Sequence, residues 1–290
     1  VFKPFVALHA MQLSGGRIDP SFTHDCKVEE GELRAGWGGV ACNSYWGHGE
    51  LDMAGAIAVS CNSYFARLAD ELGTDEFEAL GQHFGLGRPS GVVFEDAPVS
   101  RALELSPEPF RWDPGAGLPK QLRRAANGLQ VVEVTPMQVA RAMAGLATGR
   151  LPSMRLVDWR GDEQVPQPEP ERLPYDEPLL DAVRAMMVDV TNAGDGSARR
   201  TLSRGRIGHT VAAKTGSADL QHRKVRGPDG QGEPLKHTWV AGWLPAEDPQ
   251  LVFVVFLSAT EVSSSKAAIF VAGQLLERPE VQALLSEGSR

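Results

Sequence analysis

The sequence is short of several things, and each shortage excludes something. It has three cysteines in 290 residues, Cys26, Cys42 and Cys61. An odd number cannot pair completely into disulfides, so at least one thiol has another fate. No apolar run approaches the length of a membrane span, and no signal peptide is present; an anchor upstream of Val1 is compatible with both. Basic clusters are missing. Arg123-Arg124 and Arg199-Arg200 are only pairs, and 29 Lys and Arg stand against 37 Asp and Glu, a net charge of −8. That balance argues against a nucleic-acid partner. No Pro/Ser/Gly linker divides the chain, and no internal repeat is found. With 42% hydrophobic and 23% charged residues, the chain is expected to bury one substantial core, as a single domain over residues 1–290.

Hydrophobic spacing supplies the elements. Phe5, Val6, Leu8 and Met11 predict a helix, with Pro4 tolerable in its first turn, so Lys3 is placed at a helix N-terminus pointing inward. Residues 14–50 read as loop. Residues 51–70 read as helical, interrupted at Ser60-Cys61-Asn62, and residues 75–84 as a short helix ended by Gly85-Leu86-Gly87. Residues 95–120 are Pro-rich and irregular. Thr135-Pro136 starts a helix that Gly149 ends. Residues 150–175 read as loop with an edge strand, and 176–192 as helix. Val211–Ser217, Thr238–Leu244 and Leu251–Leu257 then read as three consecutive strands, with a polar excursion at 219–236, followed by a helix over 264–277. Helices, then an antiparallel sheet, then a helix define a mixed α/β architecture with segregated elements.

Three short motifs carry chemistry. Lys214-Thr215-Gly216-Ser217 follows the apolar Val211-Ala212-Ala213, as an inner strand beside a cleft would. Ser60-Cys61-Asn62 is a Ser-x-Asn triplet. Lys-Thr-Gly and Ser-x-Asn are two of the three signatures of the penicillin-recognising serine acyltransferases. The third, Ser-x-x-Lys, is met in part: Lys3 sits where its serine would lie one position before Val1. The chain therefore reads as a fragment whose first missing residue is the nucleophile. A lysine one helical turn after a serine can reach its hydroxyl, and burial beside another cation such as Lys214 lowers a lysine pKa toward that of a base. Ser60 would relay a proton, and the Asn62 amide would hold a substrate amide. Lys214, Thr215 and Ser217 would bind a carboxylate, Gly216 would let a substrate backbone approach, and the Ser217 N–H is a candidate oxyanion donor. Taken singly, each motif has a plainer meaning: a surface lysine, a helix cap, and a polar strand end at a turn.

The likeness extends along the chain. Val1-Phe2-Lys3-Pro4-Phe5, Gly47-His48-Gly49, Ser60 to Phe65, Phe84 to Val92, Thr135 to Ala140, Ala213 to Ala218 and His237 to Trp243 resemble the penicillin-binding transpeptidases, in particular the elongation-type class B enzymes. The resemblance implies an α/β transpeptidase fold with an antiparallel sheet of about five strands flanked by helices. It implies D-Ala-D-Ala cross-linking of peptidoglycan stem peptides through a serine acyl-enzyme, with no cofactor needed for catalysis. It also implies trapping by β-lactams, a membrane glycosyltransferase partner reached through regions outside this chain, and a place on the extracytoplasmic face of the bacterial membrane. Ala125-Ala126-Asn127-Gly128 departs from the family's Ile-Gly-Gln-Gly stretch.

The cysteines leave two readings open. One is a Cys26–Cys42 disulfide with Cys61 free. The other is a closed tetrahedral zinc site of Cys26, Cys42, His48 and Cys61; the positions of Cys42, His48 and Cys61 resemble those of the metal that some elongation-type enzymes carry beside the Ser-x-Asn triplet. Its role would be structural. The alternatives to a transpeptidase are a D,D-carboxypeptidase or β-lactamase of the same fold, which needs a deacylation base and finds no motif supporting Glu95 or Glu133 as one, and a β-lactam sensor or inactive binding domain.

Overall fold

The computed structural model of the chain describes residues 1–15, 17–88, 109–154, 159–226, 232–260 and 266–287. Pro89 to Val92 and Glu95 lie outside the described residues. Helix α1 (Lys3–Leu13) is buried from Lys3 to Met11. A helix apolar all round belongs in the centre of a core, and α1 accordingly packs against α2 (Met53–Ala58), α4 (Thr74–His83) and α7 (Glu177–Asn192).

Between α1 and α2, the segment read as loop holds four short strands: β1 (His24–Lys27), β2 (Gly36–Trp37), β3 (Val40–Ala41) and β4 (Gly47–Leu51). They pair antiparallel, β1 with β4 and β2 with β3. At two to five residues they are too short for alternation to register. Helix α2 is capped by Asp52, whose side chain accepts from the Gly55 N–H at 2.8 Å. Helix α3 (Asn62–Leu68) is capped by the Cys61 sulfur.

Helix α5 (Leu118–Ala126) occupies part of the segment expected to be irregular. Helix α6 (Pro136–Thr148) begins with a reciprocal cap: Gln138 N–H donates to Thr135 Oγ1, and Thr135 N–H donates to Gln138 Oε1. Gly149, at φ 71°, ends it, as its sequence predicts. Among the described residues, the region 150–175 holds four two-residue strands, β5 (Arg150–Leu151), β6 (Trp159–Arg160), β7 (Glu163–Gln164) and β8 (Glu171–Arg172), rather than one edge strand.

After α7 come two one-turn helices, α8 (Arg199–Leu202) and α9 (Arg204–Ile207). The principal sheet follows: β9 (Ala212–Arg226), β10 (Gly232–Leu244) and β11 (Leu251–Thr260), antiparallel in the order β11-β10-β9. These are three of the roughly five strands the resemblance implies, counted among the described residues. The stretch at 219–236 is not an excursion. The β9–β10 ladder continues through Asp219↔Lys236 to Arg226↔Gly232, because a hairpin extending past the core needs no apolar face to keep its backbone hydrogen bonds. Helices α6 and α10 (Ala267–Leu276) pack on β10 and β11, and α7 packs on β9. A last helix, α11 (Pro279–Glu287), follows. Trp243, Leu244, Val240 and Ala241 are fully buried between these layers.

Candidate active site

Three elements converge at one place: the N-terminus of α1, the junction between α2 and α3, and strand β9. Lys3 is 4% exposed. Its Nζ donates to the Ser60 carbonyl at 2.7 Å, to Ser60 Oγ at 3.2 Å and to Asn62 Oδ1 at 2.7 Å. It also lies 5.5 Å from the centre of the Phe65 ring.

The junction achieves this with a strained turn. Ser60 has φ 60°, a left-handed conformation that costs a non-glycine residue of order 1 kcal/mol or more. Cys61 is extended, and Asn62 opens α3. Ser60 N–H donates to the Ile57 carbonyl and Cys61 N–H to the Ala56 carbonyl, so the chain turns back on α2 and both polar side chains reach Lys3. The Asn62 amide, expected to hold a substrate, is engaged at both ends. Oδ1 accepts from Lys3, and Nδ2 donates to the Ala41 carbonyl at 3.1 Å.

Lys214 is fully buried. Burial, and then the Lys3 cation, hold its ammonium well below the usual lysine range. Lys3 is itself lowered to about 8, chiefly by burial, with the Cys61 and Cys42 sulfurs acting in the opposite direction. Of the two causes expected, burial and a neighbouring cation, burial is the main one. The Thr215 carbonyl accepts from the Val1 nitrogen at 3.0 Å and from Lys214 Nζ at 3.2 Å. A Cβ on Gly216 would lie 2.8 Å from the Val1 nitrogen, so only glycine lets the start of α1 close on this strand. Ser217 is exposed.

Two polar side chains at this place had no sequence signal. Ser197 Oγ lies 3.0 Å from Thr215 Oγ1, and its N–H donates to the Ala58 carbonyl at 3.0 Å. Asn127, in the stretch that departs from the family pattern, donates from Nδ2 to the carbonyls of Asn62 and Arg123 at 3.2 and 2.9 Å. Both lie in segments where only tertiary proximity gives a hydroxyl or an amide a role. Glu133 forms an ion pair with Arg111 at the surface instead.

The Cys/His group also converges. The three cysteines are buried and free of disulfides, and the four candidate ligand atoms lie within 4.8 Å of one another. Cys42 and Cys61 sulfurs are 3.7 Å apart, and His48 Nδ1 is 3.6 Å from the Cys26 sulfur and 3.5 Å from that of Cys42. With zinc–sulfur bonds of about 2.3 Å and zinc–nitrogen bonds of about 2.05 Å, a regular tetrahedron has edges of about 3.8 Å between sulfurs and about 3.6 Å from sulfur to nitrogen. The donor set and its spacing fit a zinc ion.

The chain belongs to the penicillin-binding protein transpeptidase domain family, whose profile matches residues 1–277. It is 26% identical over 243 residues to the peptidoglycan D,D-transpeptidase MrdA of Haemophilus influenzae, covering 77% of this chain and 35% of that one. It is 28% identical over 244 residues to the peptidoglycan D,D-transpeptidase PbpA of Mycolicibacterium smegmatis, covering 81% and 44%. The chain thus spans less than half the length of these relatives. Its fold matches Pseudomonas aeruginosa PBP2, solved in complex with WCK 5153, with a TM-score of 0.69 at 24% identity over 94% of this chain and 56% of that one. It also matches Helicobacter pylori PBP2, solved in complex with MreC, with a TM-score of 0.69 at 21% identity over 99% and 49%. The fold is that of the penicillin-binding transpeptidases.

Proposed function

We propose that this chain is the catalytic part of a peptidoglycan D,D-transpeptidase that acts on D-Ala-D-Ala stem peptides through a serine acyl-enzyme and is acylated by β-lactams. The observation that carries this is the burial of Lys3 against Ser60, Asn62 and Lys214. In this reading the nucleophile is a serine immediately before Val1. Neutral Lys3 takes the hydroxyl proton as the oxygen bonds to the carbonyl carbon of the penultimate D-Ala. The amide C–N bond then breaks, and the proton passes through Ser60 to the departing D-Ala nitrogen. An amine of a second stem peptide attacks the ester and regenerates the serine.

Lys214, Thr215 and Ser217 hold the terminal carboxylate, whose charge would restore that of Lys214. The Ser217 N–H and that of the serine supply the oxyanion donors. A β-lactam follows the same acylation, but its leaving nitrogen stays tethered. Cys26, Cys42, Cys61 and His48 would hold a structural zinc. Four protein ligands leave no open position for catalysis, and the ion would tie β1, β4 and the loop at Cys42 to the segment carrying Ser60. The reading also places the chain on the extracytoplasmic face of a bacterial membrane, working with a membrane glycosyltransferase.

The test is labelling by fluorescent penicillin of the chain extended upstream through a serine before Val1. One label per chain, lost in Lys3→Ala and Lys214→Ala, supports the reading. A folded, extended protein that stays unlabelled overturns it in favour of a binding domain. Incubation of the acyl-enzyme with D-amino acids or water alone separates a transpeptidase from a carboxypeptidase or β-lactamase.

A further inference from the structure

Asn62 works only if its amide faces the right way, and the two ends of an amide are nearly isosteric. The observation that fixes it is the bond from Asn62 Nδ2 to the Ala41 carbonyl at 3.1 Å. That bond leaves Oδ1 to face Lys3 Nζ. A flipped amide would aim two N–H donors at an ammonium. The Ala41 carbonyl belongs to the β2–β3 hairpin, a two-residue pairing of Gly36↔Ala41 and Trp37↔Val40. So short a hairpin is not stable by itself, and something must hold it.

Asp70 does so, from the turn that follows α3. Its Oδ2 accepts from Trp37 Nε1 at 2.7 Å and its Oδ1 from Arg123 Nε at 2.7 Å. Arg123 Nη1 donates on to the Gly38 carbonyl at 3.2 Å. One carboxylate thereby joins the hairpin to α3 and α5. The Trp37 ring is gripped further by the edge of His24, with centroids 5.4 Å apart, and by Arg67 at 6.0 Å. The Asp70 and Arg123 side chains are only about a quarter exposed (25% and 23%), where charge-assisted hydrogen bonds are stronger than at an open surface. The far end of the same hairpin runs into Cys42 and the Cys/His group, so the Ala41 carbonyl is held from both sides.

We propose that Asp70 is a positioning residue: through Trp37, Arg123 and the 36–41 hairpin, it fixes the Asn62 amide with Oδ1 toward Lys3. The inference deepens the proposed function and rests on it for its kinetic consequence, though not for its geometric one. Asp70 touches no reacting atom. It acts by orienting a group that does, and small misplacements of such groups cost about tenfold to a hundredfold in rate.

The experiment compares Asp70→Asn and Trp37→Phe in the chain extended through the serine. Trp37→Phe removes one N–H donor and keeps the ring, so it serves if Asp70→Asn is poorly folded. The limiting rate of penicillin acylation is expected to fall about tenfold, with the half-saturating penicillin concentration unchanged. In an Asn62→Ala background the same substitutions should have no further effect, because residues that act through one another are non-additive. The side-chain amide resonance of Asn62, assigned by its loss in Asn62→Ala, should shift in Asp70→Asn. That readout needs no acylation, so it stands even if the unsubstituted protein proves unreactive, an outcome that would count against the function alone. An unmoved Asn62 resonance, or a rate loss that multiplies independently with that of Asn62→Ala, overturns the inference.

Discussion

Acylation should follow the neutral form of Lys3, and its pH dependence is therefore fixed by burial. Its ammonium is lowered to about 8. The neutral fraction is then roughly 1% at pH 6, 10% at pH 7, 50% at pH 8 and 90% at pH 9. The second-order rate constant for penicillin acylation should rise about tenfold per pH unit up to pH 7 and level off above pH 8. The assay is a time course of fluorescent-penicillin labelling on the chain extended through the serine, from pH 6 to 9.5. Lys3→Arg, which stays protonated throughout, should lose the reaction at every pH. The same shift has a stability consequence of opposite convenience. Between about pH 8 and 10.5 the unfolded chain holds the proton that folded Lys3 has lost, so stability rises with pH through that window. Below pH 8 the cost of burying the ammonium is present in full, about 3 kcal/mol. A flat rate profile from pH 6 to 9, or a bend near pH 10 as for an exposed lysine, would refute the assignment of Lys3 as a buried base.

Three further outcomes are expected. Metal analysis of protein purified without chelator should find one zinc per chain, and Cys42→Ser should lower the content. Chelation should lower the melting temperature, removing about 4 kcal/mol where free zinc is a thousandfold above its Kd; unchanged melting would count against the site. His9 is 1% exposed, with Nδ1 2.9 Å from the Tyr175 hydroxyl. Burial, then His83, lowers it to about 4, so stability present above pH 6.5 should be lost as pH falls toward 4, by about 3 kcal/mol. His9→Phe should flatten that limb of an acid titration followed by circular dichroism, since Tyr175 keeps His83 at 3.2 Å. Gly242→Ala would place a Cβ 2.1 Å from the Ala212 carbonyl oxygen and 2.7 Å from Ala213 Cα. Because the clash is with the backbone of β9, chemical denaturation should show a loss of about 3 kcal/mol.

The site was legible in unequal parts. Lys3, Ser60, Asn62 and Lys214 were named from motif spacing, and they meet. Ser60 interrupts the helical pattern as its triplet predicts, but its left-handed turn could not be read from the chain, because the backbone angle of a serine is set by what packs around it. Ser197 and Asn127 were unreadable as site residues, because each is an ordinary polar residue whose contact with the site, Thr215 for one and the Asn62 carbonyl for the other, is made only in the fold.

The sequence by itself determined the long elements and the chemistry. α1 is a sustained apolar run, α6 is well capped, α7 is periodic, and the apolar cores of β9, β10 and β11 sit where their alternation predicts. The fold class follows from that order, and the reaction class from three short motifs. The tertiary structure decided what strength of local signal could not. It formed β1 to β8, which are too short to carry a period, and it drew the 219–236 stretch into a backbone ladder between β9 and β10. It brought Cys26, Cys42, His48 and Cys61 within reach of one ion, where the sequence left a disulfide equally open. It also buried Lys3 and Lys214 together. The pKa of a lysine is a property of its surroundings rather than of its neighbours in the chain, so the feature on which the proposed chemistry turns exists only once the chain has folded.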